Sequence, residues 1–160
     1  MGYYVRAFCT STTVPSMSEV LGWVQGHNSN ISVDQSLTSI ELNDSQWKQI
    51  ALSYKQGKLP ILVECNRDEG KEDCLMKQEV SEFLDRLGRP GISFAKRGVI
   101  NHLKKTAFII ACQLPTADID DDGYDANGCF LSYFVQHCGG MIQADGEGFY
   151  EGHKLIVKLE

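Results

Sequence analysis

What the chain lacks narrows its chemistry before any residue is singled out. Its six cysteines, at 9, 65, 74, 112, 129 and 138, never form the C-x-x-C pairs of a zinc ribbon or a redox-active dithiol. No glycine-rich phosphate loop and no nucleophile elbow occurs. No apolar run is long enough to span a bilayer, and the opening Met1-Gly2-Tyr3-Tyr4-Val5-Arg6 has no run of signal-peptide form. Arg6 also stands where a myristoylation signal needs Ser or Thr. Low-complexity tracts are missing too, and with 42% hydrophobic and 22% charged residues the composition is that of a folded chain. Together these absences predict cytoplasmic residence, reduced thiols and no membrane partner.

The 160 residues that are present suffice for a single domain over 1–160 with a core of its own, with a sub-division into 1–57 and 58–160 as the alternative. Three apolar runs with strand character end in cysteine: Tyr4 to Cys9, Ile61 to Cys65 and Phe108 to Cys112. A polar loop and a helix-period segment follow each one. After Cys9, Ser16 and Glu19 form a capping box ahead of Met17, Val20, Leu21 and Val24. After Cys65, Asp73 is the expected cap of a helix lined by Met76, Val80, Phe83, Leu84 and Leu87 and stopped by Gly88. After Cys112, Asp125 is the expected cap of a helix carrying Phe130, Leu131, Phe134, Val135 and Cys138.

A further helix is predicted over 45–56 from Trp47, Ile50, Ala51 and Tyr54. The remaining strands are predicted over 31–42 with an interruption, 91–95, 141–144 and 155–159, with a C-terminal hairpin turning near Asp145-Gly146. The expected fold is therefore α+β: a mostly antiparallel sheet covered by helices, in ferredoxin-like βαββαβ order over about residues 59–145, with an N-terminal βαβα extension. A doubly wound parallel sheet is the alternative, and it would need a helical crossover within 97–105.

Charge is unevenly spread. The chain carries a formal net charge of −6, and five aspartates fall between Asp118 and Asp125. Asp118, Asp120, Asp122 and Gly123 match the opening of a calcium loop, but Cys129 stands where an EF-hand places its closing Glu, so the EF-hand reading fails. Asp118, Asp120, Asp122 and Asp125 remain candidate ligands for a divalent cation, against the simpler reading of a solvated loop whose last aspartate caps a helix. A second acidic candidate is the segment with Asp145, Glu147, Glu151 and His153, which share one face if extended and suit a metal or acid–base work.

Opposed to these is a basic stretch over 86–105 that includes Arg97, Lys104 and Lys105, the candidates for polyanion contact. With an acidic chain overall and Phe94 as its only aromatic, nucleic acid is a poorly supported partner. The function expected from these features is a non-enzymatic binding or regulatory protein that takes a protein or small-molecule partner and needs no cofactor. Two alternatives stand beside it: a metal-dependent hydrolase or transferase using both acidic segments, and a nucleic-acid-linked regulator using the basic stretch.

Overall fold

Alternation of buried residues in two directions along one strand requires cover on both faces of a sheet, and the central strands have it. The computed structural model describes residues 3–36 and 42–160. Its core pair is β1 (Tyr3–Cys9) against β5 (Phe108–Leu114), antiparallel, with Phe8 opposite Ile109 and Val5 opposite Cys112. Ala7, Cys9, Phe108, Ile110, Cys112 and Leu114 join one buried cluster, while Phe8 and Ile109 join another on the far side of the sheet. That is why β5 is buried along nearly its whole length, unlike a strand with one wet face.

Among the described residues the sheet has eight strands, all pairs antiparallel. The others are β2 (Ser32–Val33), β3 (Gln49–Ser53), β4 (Ile61–Arg67), β6 (Gly140–Ala144), β7 (Gly148–Glu151) and β8 (Lys154–Lys158). Their order is β2-β3-β4-β5-β1-β6-β7-β8. The helices of the described residues cover it: α1 (Met17–Val24) and α4 (Asp121–His137) on one face, α2 (Leu75–Leu87) and α3 (Phe94–Lys104) on the other. The fold is α+β, with one antiparallel sheet.

Several expectations hold at residue level. Ser16 Oγ accepts from the Glu19 amide at 3.2 Å, and Met17, Val20, Leu21 and Val24 are buried as the capping box and stripe require. Gly88 ends α2 at φ 67°, and Met76, Phe83 and Leu87 are its buried side. Phe83 stands edge-on to Phe8 at 5.5 Å and to Phe149 of β7 at 5.8 Å, so three rings from α2, β1 and β7 fasten the second helical layer.

Other expectations are corrected. Residues 45–56 form no helix: Gln49–Ser53 is β3, because Ile50, Leu52 and Tyr54 alternate into the core at the strand period, with Leu52 completing a pattern that the helical reading passed over. Trp47 is buried beside it and donates from Nε1 to Pro15 O at 2.9 Å. The predicted strand over 91–95 is replaced by the start of α3. Ser93 Oγ accepts from the Lys96 amide at 3.2 Å, and Val99, Ile100 and Leu103 then bury at helical spacing. The βαββαβ order expected over 59–145 is therefore not reproduced, since that stretch runs β4-α2-α3-β5-α4-β6.

Two caps also shift. Asp120, not Asp125, caps α4 and accepts from the Gly123 amide at 3.1 Å, while Cys74 occupies the position before α2 in place of Asp73 and makes no side-chain cap bond. Of the strand predicted over 31–42, Ser32–Val33 is formed, and positions 37–41 lie outside the described residues.

All six cysteines are unpaired, and only Cys129 is not buried. Burial pushes the Cys65 thiol up to about 12 and the Cys138 thiol up to about 11. Thiolate at these two sites is scarce at neutral pH. Titration of denatured, freshly purified protein without reductant is expected to count six thiols, and in the native state Cys129 is expected to react first. A count of four or fewer, or faster labelling of Cys9 or Cys112 than of Cys129, would contradict this packing.

Candidate functional site

Helical cover on the α1/α4 face stops short of the sheet. α4 lies on β1 and β6, and the sheet continues to β7 and β8 beyond it. The flank of α4 and the uncovered strands enclose an open cleft of about 880 Å³. This is a size ordinary for small-molecule sites. Its floor is apolar, made by Val5 of β1 and Ile142 and Ala144 of β6. Its helical wall uses Tyr124, Asn127, Gly128, Leu131 and Val135, which recur at three- and four-residue steps and so share one flank of α4. The core stripe Gly123, Ala126, Phe130 and Phe134 runs beside it, buried.

The rim comes from chain ends that the sheet brings together. Tyr3 opens β1, Glu147 sits in the β6–β7 turn, Tyr150 lies on β7, and His153 follows β7. Tyr3 Oη donates to Glu147 Oε2, and Tyr150 Oη donates to Glu147 Oε1 at 2.5 Å. These two phenol bonds hold the Glu147 carboxyl below its ordinary range, Tyr150 having the larger effect. Burial, followed by the bond to Glu147, raises the Tyr3 hydroxyl, and the same carboxylate raises that of Tyr150. Both phenols stay protonated and act as donors at neutral pH. Among the described residues no Lys, Arg or His pairs with Glu147, and no Lys or Arg lines the cleft.

Within the α4 wall, Asn127 is only 5% exposed and its Oδ1 meets no donor. Ser132, also in the wall, donates its hydroxyl to Cys129 O at 2.6 Å, so it is held to its own helix.

The sequence-derived candidates separate. Glu147 and His153 reach the cleft, whereas Asp145 faces the opposite side of the sheet and accepts from Arg6 Nη1 at 2.8 Å. Arg6 also bonds Gln143 Oε1 at 2.7 Å and reaches Glu79 at 3.4 Å, where burial outweighs the arginine and raises the carboxyl. Glu151 is exposed and outside the cleft lining. The shared face expected of 145, 147, 151 and 153 is lost because a turn at Asp145-Gly146 and a second at Gly152 break the extended run.

The aspartate loop is met by lysines. Lys55 Nζ bonds Asp120 at 2.9 Å and Asp122 at 3.0 Å, and Asp118 accepts the Leu59 amide at 2.7 Å with Lys58 nearby. Asp125 is exposed on α4. Among the described residues no group of three or more His, Cys, Asp or Glu is placed to hold a metal. Of the basic candidates, Arg97 bonds Gly91 O at 2.8 and 3.2 Å, and Lys104 and Lys105 are exposed at the end of α3.

Tyr3, Tyr124, Asn127, Gly128 and Tyr150 were not legible as a site. The available signal was a second stripe on α4, offset from the apolar one and holding an Asn and a Gly that a helix interior has no use for. The chain matches no protein-family model, no curated protein and no solved structure.

Because Glu147 is held low, its contribution to stability is full above the ordinary carboxyl range and disappears as pH falls through the depressed value. In Tyr150→Phe the Glu147 midpoint is expected to move up toward the ordinary range, read by NMR titration of the side-chain carboxyl. An unmoved midpoint would show that the phenol bond is not formed in solution.

Proposed function

We propose that this chain is a non-catalytic binding protein that holds a small molecule with an apolar body in the cleft between α4 and the β1–β6–β7 face. The observation that carries the reading is the cleft itself: about 880 Å³ with an apolar floor of Val5, Ile142 and Ala144, and the Glu147 carboxylate held at its rim by the Tyr3 and Tyr150 hydroxyls. Concave, mostly apolar sites of this size with a few fixed polar groups are where small ligands bind.

The scaffold supports the reading. Taken alone, β1-α1-β4-β5-α4-β6 runs βαββαβ with strand order β4-β5-β1-β6 and both helices on one face, which we read as a ferredoxin-like core spread over residues 3–144. β2 and β3 are inserted in its first half, α2 and α3 between its middle strands, and β7 and β8 are appended at its edge. Glu147, Tyr150, Gly152 and His153, from β7 and the turns on either side of it, supply one side of the cleft. Six unpaired thiols suit a reducing compartment, in line with the cytoplasm. Among the described residues no helix is long and apolar enough to cross a membrane. Glu147 and His153 line the cleft while the Asp118–Asp125 loop pairs with Lys55 and Lys58 outside its lining, an arrangement that supports the binding reading ahead of the metal-dependent one.

Gly128 gives a clean test, because a Cβ there would meet no atom within 4 Å and the residue lines the cleft wall. Gly128→Trp is expected to leave the melting midpoint unchanged or slightly raised, since glycine is a poor helix former, and to abolish binding of the neutral apolar fluorophore Nile red. Equal fluorophore binding by wild type and variant would remove the cleft from consideration.

A further inference from the structure

Glu147 sets the polar requirement of the cleft. It is an anion whose two oxygens take one phenol bond each, so a carboxylate with room for about four hydrogen bonds keeps capacity for more donors. Among the described residues no lysine or arginine lines the cleft, and three tyrosines, at 3, 124 and 150, share its lining with His153. A carboxylate with spare acceptor capacity beside aromatic rings is complementary to a positively charged donor.

We infer that the cleft selects an organic amine: a protonated nitrogen directed to the Glu147 carboxylate, carried on an apolar body that lies along Val5, Leu131, Val135 and Ile142. The inference rests on the cleft reading above and adds the chemical class of its ligand. An anionic ligand of the same shape would face the Glu147 carboxylate with no lysine or arginine in the cleft lining to offset it. A neutral one would fill the floor but leave the carboxylate's extra capacity unused.

The position of Glu147 is fixed by the backbone. Its amide donates to Ala144 O at 3.1 Å, and its carbonyl accepts the Leu159 amide at 3.0 Å. The next residue, Gly148, has φ 138°, and a Cβ there would lie 2.0 Å from Val157 O. Only glycine lets β7 pass β8 this closely, so the carboxylate is held at the rim by main-chain bonds on both sides.

Three probes with one hydrocarbon body separate the outcomes: phenylbutylamine, phenylbutanol and phenylbutyrate, titrated into the full chain by calorimetry or NMR. The amine is expected to bind at least about tenfold more tightly than the alcohol, and the carboxylate more weakly than either. Glu147→Gln, which keeps the side-chain shape and an acceptor for the tyrosines, is expected to erase the preference for the amine while leaving the alcohol's affinity in place. If the alcohol or the carboxylate binds as well as the amine, or if the preference survives in Glu147→Gln, the amine assignment is overturned and the cleft stands. If none of the three binds wild type, both readings fall together.

Discussion

Burial of the β1–β5 pair on both faces is the constraint from which the rest of the structure follows. Each strand must bury apolar groups in both directions, Phe8 and Ile109 one way and Ala7, Cys9, Ile110 and Cys112 the other. A one-residue slip of register would exchange these sets, placing Phe8 where the small Ala7 and Cys9 pack under α4. Two helical layers are then obligatory. One layer is built from α1 and α4, and the other from α2 and α3, fastened by the Phe8–Phe83–Phe149 rings.

The cleft is the remainder of that arrangement. A sheet of eight strands is wider than the pair of helices on its α1/α4 face, so Val5, Ile142 and Ala144 lie at the margin of the cover. On the opposite face Arg6 gathers Asp145, Gln143 and Glu79, and Asp145 also returns to β1, its amide donating to Tyr4 O at 3.0 Å. The turn that presents Glu147 to the cleft is thus anchored from the other side of the sheet. Such division of labour across the sheet gives a rigid rim beside an apolar floor, the condition under which a binding group keeps its geometry without the ligand.

Much of the architecture was legible because strong local signals agreed with burial. Ser16 and Glu19 marked a helix start, Gly88 a helix stop, and the Cys-terminated apolar runs were β1, β4 and β5. Misreading occurred where two periods fitted the same short run: Ile50, Ala51 and Tyr54 satisfy a helix as well as Ile50, Leu52 and Tyr54 satisfy a strand, and only pairing with β4 decides. At 91–95 the apolar Ile92 and Phe94 suggested a strand, yet both are exposed, at 95% and 86%, and Ser93 between them begins a helix. Of the site, Glu147 and His153 were visible as unusual residues in a glycine-rich segment. Their partners were not, since Tyr3 lies 144 residues away along the chain and nothing local announces that contact.

In the proposed complex an apolar-bodied amine lies in this cleft with its nitrogen at Glu147. A structure of the full chain determined with phenylbutylamine bound tests it most directly. The nitrogen is expected within hydrogen-bond distance of the Glu147 carboxylate and the ring against Val5, Leu131 and Ile142. An amine found instead at the Asp118–Asp122 loop, or a cleft left empty at saturating amine, would contradict it.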